Sequence, residues 1–284
     1  MVKLFKRNHN GLLSQQALIL SPDGRSFFHK GRWVGIPRGG AVDMIKGNSY
    51  FCEQFLFPFS SATNGLIAGH TIYTVASGAT FARLAINGGA GRMTLAGDDA
   101  DAVAVFGPRA YEPDECGLGW MQARIRSSSV VAGSIFVGMT DADDDNVIIE
   151  DEDGTIQTVP TDAFGVLLEG EQDGTWQTMG VGNDVDDTQY ASTNIADLAA
   201  AAWTTIHIEY DRNGNAAQTV VRYRVRVNGV ILRTSNTDGA GWTASVARSS
   251  VIYCPVASAD DRAAAYTVDM AEFAAQGGVG ASLD

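Results

Sequence analysis

A short acidic stretch near the middle of the chain has a spacing that suits metal binding. The carboxylate pattern of a calcium-binding loop is reproduced by Asp141, Asp143, Asp145 and Glu152. Asn146 stands where the sharp turn of such a loop requires glycine, and the flanking residues predict strands rather than helices. We therefore expect no cofactor, with calcium at these four carboxylates as a testable alternative.

The same stretch raises the possibility of glycoside hydrolysis. That reaction uses two carboxylates facing one cleft, one as nucleophile or base and one as acid. Glu150 and Glu152 share a strand face, but Asp153 and Gly154 predict a turn immediately afterwards. A long strand with alternating carboxylates is therefore not expected, and we predict that the protein is not an enzyme.

Arginines alternate with apolar residues in one segment and define a basic strand face. Because successive strand residues point to opposite faces, one face collects Val221, Tyr223, Val225 and Val227 and the other Arg222, Arg224 and Arg226. A polyanion could bind these arginines. The preceding strand, however, offers His207 and Glu209 on its polar face, and cross-strand charge pairing is the simpler interpretation.

Tryptophan and cysteine, which often form binding sites, also have simpler explanations here. Core packing explains tryptophan more often than sugar stacking does for the candidates Trp120, Trp176 and Trp242. The cysteines are too widely spaced for a zinc site and are expected to be buried thiols at Cys52, Cys116 and Cys254.

Charge divides the chain into a basic beginning and an acidic body. Residues 1–46 contain eight basic and two acidic side chains, a net charge of +6. The remaining 238 residues contain 12 arginines, no lysine and 31 carboxylates, a net charge of −19. This asymmetry predicts a basic arm that docks on an acidic surface, although a merely solvated tail would show the same composition.

The sequence predicts neither a membrane span, nor secretion, nor a nucleic-acid partner. No run of about 18 apolar residues is present, so no membrane span is predicted. Asn8, His9, Asn10 and Gly11 interrupt any signal-peptide core, so we expect synthesis in the cytoplasm, with the protein kept there or released by cell lysis. Nucleic acid is not an expected partner, because the acidic body repels phosphate.

From about Asn48 onward the sequence predicts an all-β fold. Short alternating or apolar runs are separated at regular intervals by clusters of Gly, Asp and Asn, as in a β-sandwich. The predicted strands are Tyr50–Phe57, Thr71–Val75, Thr80–Ile86, Arg92–Ala96, Ala102–Phe106, Gly119–Arg126, Ser134–Met139, Asn146–Glu150, Phe164–Leu168, Thr175–Val181, Trp203–Tyr210, Thr219–Val227, Val230–Arg233, Ser250–Cys254 and Ala265–Phe273. Asn194–Ala202 fits a short helix or a loop, and Asn228-Gly229 predicts a type I′ hairpin turn.

Three regions follow from these patterns. Residues 1–47 form a basic N-terminal arm that is too short for its own core, with a hairpin predicted between Leu18–Leu20 and Phe27–Phe28. Residues 48–276 form the sandwich, and residues 277–284 form a flexible C-terminal tail.

The sequences of two predicted strands resemble those of a known group of proteins. Gly119-Trp-Met-Gln-Ala-Arg-Ile-Arg126 and Ile135-Phe-Val-Gly-Met-Thr140 resemble strands of the concanavalin-like, laminin-G-like jelly rolls of tailed-phage virion proteins. Trp203–Val230 and Tyr266–Met270 continue the same order. The resemblance covers about residues 48–276, and it departs from the usual pattern at Gln122, where a glutamate is customary.

The resemblance implies a concanavalin-like jelly-roll β-sandwich of two antiparallel sheets with an N-terminal extension. It further implies a non-enzymatic virion protein, a capsid decoration (cement) protein or head fibre, that binds the major capsid protein or other virion proteins as a homo-oligomer, a trimer. A tail-fibre or baseplate module, or a lectin-like domain that binds a host-surface glycan, are the alternatives. We expect capsid attachment through Lys3, Lys6, Arg7, Arg25, Lys30, Arg32, Trp33 and Arg38.

Overall fold

The structure is a computed structural model. It describes side chains for residues 78–86, 89–97, 101–108, 111, 119–141, 162–169, 174–182, 189–211, 219–248, 253–260 and 264–276, and for the remaining strands the backbone alone. The strands of the first half of the chain are β1 (Val2–Lys3), β2 (Ile19–Leu20), β3 (Ser26–His29), β4 (Arg32–Gly35), β5 (Asp43–Ile45), β6 (Asn48–Glu53), β7 (Ser60–Ser61), β8 (Gly65–Ile67), β9 (Thr71–Ala76), β10 (Thr80–Leu84), β11 (Ala90–Leu95), β12 (Ala102–Phe106) and β13 (Gly119–Ser127). Those of the second half are β14 (Gly133–Thr140), β15 (Ile148–Glu150), β16 (Ile156–Thr158), β17 (Ala163–Leu168), β18 (Trp176–Gly182), β19 (Val185–Asp186), β20 (Tyr190–Ala191), β21 (Thr204–Asp211), β22 (Val220–Val227), β23 (Val230–Ile231), β24 (Val246–Ala247), β25 (Cys254–Asp261) and β26 (Tyr266–Gln276).

Two large antiparallel sheets contain most of these strands. The first sheet runs β23-β22-β21-β13-β26-β11-β10-β7, with β24, β6 and β5 attached. The second runs β19-β18-β17-β14-β25-β12-β9-β8, with β20 attached. The last two strands insert between earlier ones, β26 between β11 and β13, and β25 between β12 and β14. This nested order is the predicted concanavalin-like jelly roll.

The main core lies between the sheets and is rich in aromatic side chains. Phe164 of the second sheet meets Tyr210 and Tyr223 of the first at ring-centroid distances of 5.7 and 5.5 Å. The Tyr223 hydroxyl donates to the Met179 carbonyl of the second sheet at 2.7 Å. Each buried aromatic ring removes much apolar area from water at about 25 cal/mol per Å², so this cluster fixes how the two sheets pack.

The second sheet is buried on both faces. Every residue of β12, β14, β17 and β18 is buried. Strands β12 and β17 are continuous rather than alternating apolar runs, as expected when both faces are covered. A second apolar cluster, which includes Phe136, Leu167 and Val181, lies on the side away from the main core, and β15 passes beside β14 and β25. The first sheet therefore offers the solvent-facing surface of the sandwich.

Strands β21 and β22 have the predicted alternation. Every second residue is buried, including Val221, Tyr223 and Val225. Asn228 and Gly229 have φ angles of 49° and 83°, as a type I′ turn requires. Cys254 is a buried thiol, as predicted. Ile19 and Leu20 pair with Phe28 and Phe27 in the predicted N-terminal hairpin.

Two further segments were predicted from the sequence. The strand predicted at Ser250–Cys254 falls mostly on residues 249–252, which lie outside the described residues; the observed strand β25 begins at Cys254 and continues through Pro255 to Asp261. Residues 194–202 form a loop, the second of the two alternatives predicted for them. The side chain of Asn194 donates to the Ile231 carbonyl and accepts from the Arg233 N–H, at 2.9 and 2.8 Å, and such side-chain bonds compete with a helix.

Candidate functional site on the outer face of the first sheet

The outer face of the first sheet collects the charged and aromatic side chains of five strands and two loops. Half-buried residues alternate with core residues along β11, β13, β21 and β22, so the polar set shares one face. We call this surface the arginine face; its members are Arg92, Trp120, Gln122, Arg124, Arg126, Trp203, His207, Glu209, Asp211, Arg222, Arg224, Arg226, Trp242, Asp269 and Glu272.

Glu209 contacts two of the three arginines of β22. It lies opposite Arg224 in the strand register, and Arg224 Nε donates to Glu209 Oε2 at 2.5 Å. Arg226 Nε and His207 Nε2 are each 3.8 Å from Glu209 Oε1. Arg222 contacts Asp211 at 2.9 Å, so cross-strand charge pairing is confirmed.

Asp269 is a second carboxylate that binds two arginines. It lies on β26 between Arg92 of β11 and Arg126 of β13. Arg92 donates Nε and Nη2 to its two oxygens at 2.6 and 3.0 Å, and Arg126 donates Nε and Nη2 to Oδ2 at 3.0 and 2.5 Å. The hydrogen bond with Asp269 raises the pKa of the Arg92 guanidinium. Because the Asp269 side chain is only 3% exposed, it is a rigid anchor for both cations.

The tryptophans of this face are covered by cations or by a histidine. The guanidinium carbons of Arg124 and Arg126 lie 5.1 and 4.7 Å from the Trp203 ring centroid, which is cation–π distance. Arg222 and Arg224 lie 4.8 Å from Trp242 in the same way. Trp120 stacks on His207 at 5.5 Å. Trp176, by contrast, is 1% exposed and belongs to the core, so sugar stacking by that ring is ruled out.

His207 is in an environment that disfavours its protonated form. Burial lowers its pKa, and Arg226 and Arg224 lower it further, while Glu209 has the opposite effect. The imidazole therefore stacks on Trp120 as a neutral ring above its pKa.

The predicted calcium site is only partly within the described residues. Asp141 follows β14, and its Oδ1 accepts the Asp162 N–H at 3.0 Å, so this carboxylate links the end of β14 to the residue that precedes β17. Asp143, Asp145 and Glu152 lie outside the described residues. Within the side chains that the structure describes, no group of three His, Cys, Asp or Glu residues is placed to hold a metal ion. The calcium site stays a prediction.

The predicted attachment residues are not brought together in the described part of the chain. Lys3 lies in β1, and Arg32 and Trp33 lie in β4; their side chains lie outside the described residues. Five further residues lie wholly outside the described residues: Lys6, Arg7, Arg25, Lys30 and Arg38. Attachment through the arm therefore remains a prediction, as do the three regional boundaries.

Sequence reasoning missed half of the arginine face. It identified β22, whose alternation is local, but not Arg124 and Arg126 beside Trp203, nor Arg92 and Asp269. A usable signal existed on β13, where Arg124 and Arg126 occur at alternate positions. For Arg92 and Asp269, which are 177 residues apart, no local pattern exists.

The fold and this face together define the chain as a concanavalin-like jelly-roll sandwich with one polar sheet face. No helix in the described part of the chain is long and apolar enough to cross a membrane. No protein-family model matches the chain, and no curated protein sequence matches it.

Solved structures show similarity at the level of the fold. A protein of unknown function from Shewanella oneidensis MR-1 superimposes with a TM-score of 0.54 at 10% identity, over 94% of this chain and 98% of that one. The Emp47p carbohydrate recognition domain gives a TM-score of 0.45 at 14% identity, over 73% and 89% of the two chains. The Bacillus licheniformis beta-glucanase gives 0.45 at 12% identity, over 77% and 97%.

Proposed function

We propose that the protein is a non-enzymatic structural component of a tailed-phage particle, a capsid decoration protein or head fibre. One observation supports a binding role above all: Glu209 and Asp269, the carboxylates at the centre of the arginine face, are each in contact with two arginines. A carboxylate held in this way positions cations, whereas glycoside hydrolysis needs carboxylates that face the substrate. The face is therefore suited to contact a partner surface.

The virion assignment is supported by the two strand phrases that resemble phage jelly rolls. They lie on β13 and β14, which flank the central strands β26 and β25 of the two sheets. The charge division supports attachment through the arm, since a +6 segment is attracted to an acidic shell from which a −19 body is repelled. The proposed partners are the major capsid protein and further copies of this chain, arranged as a trimer.

A carbohydrate-binding role is the second candidate. Trp120 is only half-buried, and Gln122 Nε2 donates to Glu272 Oε1 nearby at 3.1 Å, a combination of ring and amide that sugar sites also use. The faces of Trp203 and Trp242, however, are covered by guanidinium groups, which leaves less aromatic surface for a sugar ring. A tail-fibre or baseplate position would use the same surfaces in another part of the particle.

The decisive experiment is immunogold electron microscopy of virions produced by the genome that encodes this chain. We expect labelling of the head at regular positions. Labelling of the tail would select the tail-fibre or baseplate alternative. Strong binding on a glycan array together with unlabelled particles would replace the structural role with the lectin role.

Attachment through the arm is tested separately in the full-length chain. Charge reversal at Lys3, Lys6 and Arg7 to glutamate should lower capture by particles that lack the protein, chiefly at low salt, because surface charges are screened over about 8 Å at physiological ionic strength. The matched control exchanges the same residues while keeping charge, Lys3→Arg, Lys6→Arg and Arg7→Lys. Full occupancy by the reversed variant would place the docking surface on the sandwich.

A further inference from the structure

The arginine face is a positive surface on an otherwise strongly acidic body. Six of the 12 arginines in the body belong to it, against four carboxylates, Asp211, Glu209, Asp269 and Glu272. The face thus has a formal charge of +2, which leaves −21 for the rest of the −19 body. Opposite potentials on separate surfaces of one molecule favour contact between copies, basic surface to acidic surface.

Arg124 differs from the other five arginines of this face. Arg92 and Arg126 bind Asp269, and the arginines of β22 contact Asp211 or Glu209. Arg124 is exposed, and within the described residues its side chain contacts the Trp203 ring. Glu272 lies opposite Arg124 in the strand register, but its Oε1 accepts from Gln122.

Trp203 and Asp269 prepare Arg124 to bind an external carboxylate. Asp269 fixes Arg126, and Arg126 and Arg124 both lie over the Trp203 ring. A guanidinium that contacts an aromatic ring through its face can still direct its N–H donors outward, and those donors match the two oxygens of a carboxylate. Less rotamer entropy is lost on binding when the side chain is already positioned.

We propose that the arginine face binds the acidic surface of a second copy of this chain, with Arg124 as the central anchor. This inference rests on the proposed assembly function and names the contact between its subunits. The two surfaces differ, so the interface is heterologous, and a heterologous interface that closes on itself gives a ring such as a trimer. Arginine and tryptophan are also the residues that contribute most to protein interfaces.

Two other occupants fit the observations less well. An anionic polysaccharide extends beyond one face and would meet the −21 remainder of the body, which repels it. A neutral sugar needs open ring faces, whereas Trp203 and Trp242 are covered by guanidinium groups. A second copy needs only a local match between its acidic surface and this face.

Sedimentation velocity of the full-length protein over a concentration series at physiological salt tests the proposal. We expect an oligomer whose dissociation constant rises about tenfold or more for Arg124→Ala, as for a central interface residue. Arg124→Lys should restore little of the loss, because lysine keeps the charge but not the planar fork. Val230→Ala is the control and should leave association unchanged, since Val230 is 53% exposed and pairs with Val227, which faces the core rather than the arginine face.

Thermal melts of all three variants check that they remain folded, which the exposure of Arg124 favours. A protein that stays monomeric, or an oligomer that Arg124→Ala leaves intact, overturns the proposal. A monomer that binds trigalacturonate through Arg124 also overturns it and assigns the face to an acidic glycan. Immunogold labelling of particles is measured independently of sedimentation. A negative sedimentation result would therefore leave the virion assignment intact, and unlabelled particles would leave the proposed interface between copies intact.

Discussion

The ring of Tyr210 occupies the space that a side chain at Gly119 would need. The two residues lie opposite each other on β21 and β13, and a Cβ atom at position 119 would overlap the Tyr210 ring carbons and hydroxyl. Tyr210 is fully buried and packs edge-on against Phe164. Gly119 therefore permits the aromatic contact that joins the two sheets.

Gly119→Ala should destabilise the protein, because a Cβ atom there overlaps the Tyr210 ring and that fully buried ring would have to shift within the core. We expect a loss of about 1–3 kcal/mol in the free energy of unfolding, as for other overpacked cores, measured by urea denaturation. Gly239→Ala is the control, since a Cβ atom there has no neighbour within 4 Å. Equal stability of the two variants would contradict the steric interpretation.

Asp269→Asn should destabilise the first sheet by about 1–3 kcal/mol. The substitution keeps the shape of the side chain but leaves Arg92 and Arg126 without their shared carboxylate, and the loss of one partner from a buried ion pair is costly. Their partial exposure, 37% and 29%, limits the cost because water can solvate them. Glu272→Gln, at a half-buried position on the same strand, should change the unfolding midpoint much less.

Tyr223→Phe should cost about 1–2 kcal/mol, because it leaves the Met179 carbonyl of the second sheet without this 2.7 Å donor. Tyr111→Phe provides the comparison. The Tyr111 hydroxyl donates to the Ala275 carbonyl at 3.3 Å, a longer bond, so its removal should cost less. Chemical denaturation of both variants gives the difference, and a larger loss at Tyr111 would count against bond length as the cause.

His207 should make the protein less stable as the pH falls. Its folded-state pKa lies below the unfolded value of about 6.5, so the unfolded state takes up a proton first. The stability due to the neutral ring is complete above pH ~6.5 and is lost as the pH falls through the folded pKa. The melting temperature of the His207→Gln variant should therefore fall less between neutral and acidic pH than that of the unmodified protein. Parallel pH dependences would show that His207 does not contribute.

Local patterns predicted those parts of the fold in which neighbours in sequence are neighbours in space. The segment from β21 to β23 is such a case: the turn at Asn228-Gly229 between β22 and β23, and the pairing of Arg224 with Glu209 between β22 and β21, follow from alternation and register. The strand Ala102–Phe106 was predicted with its observed bounds, because a short apolar run between turns has few alternative structures.

The remainder of the site depends on contacts between distant segments. Asp269 joins Arg92 and Arg126 only because β26, the last strand, inserts between β11 and β13. No periodicity within β26 indicates which strands will flank it. Burial of the second sheet on both faces was likewise readable in principle from the apolar runs of β14 and β17, but those runs do not show what covers them.

Burial of both faces of the second sheet limits how many partners the sandwich can serve at once. Of the two broad sheet surfaces, only the outer face of the first sheet remains open among the described residues, so any two ligands of comparable size must compete for it. A subunit whose arginine face is engaged by its neighbour cannot offer that face to a third molecule. Assembly and recognition through this surface would then be mutually exclusive states, and the concentration of the protein itself would determine which of them is populated.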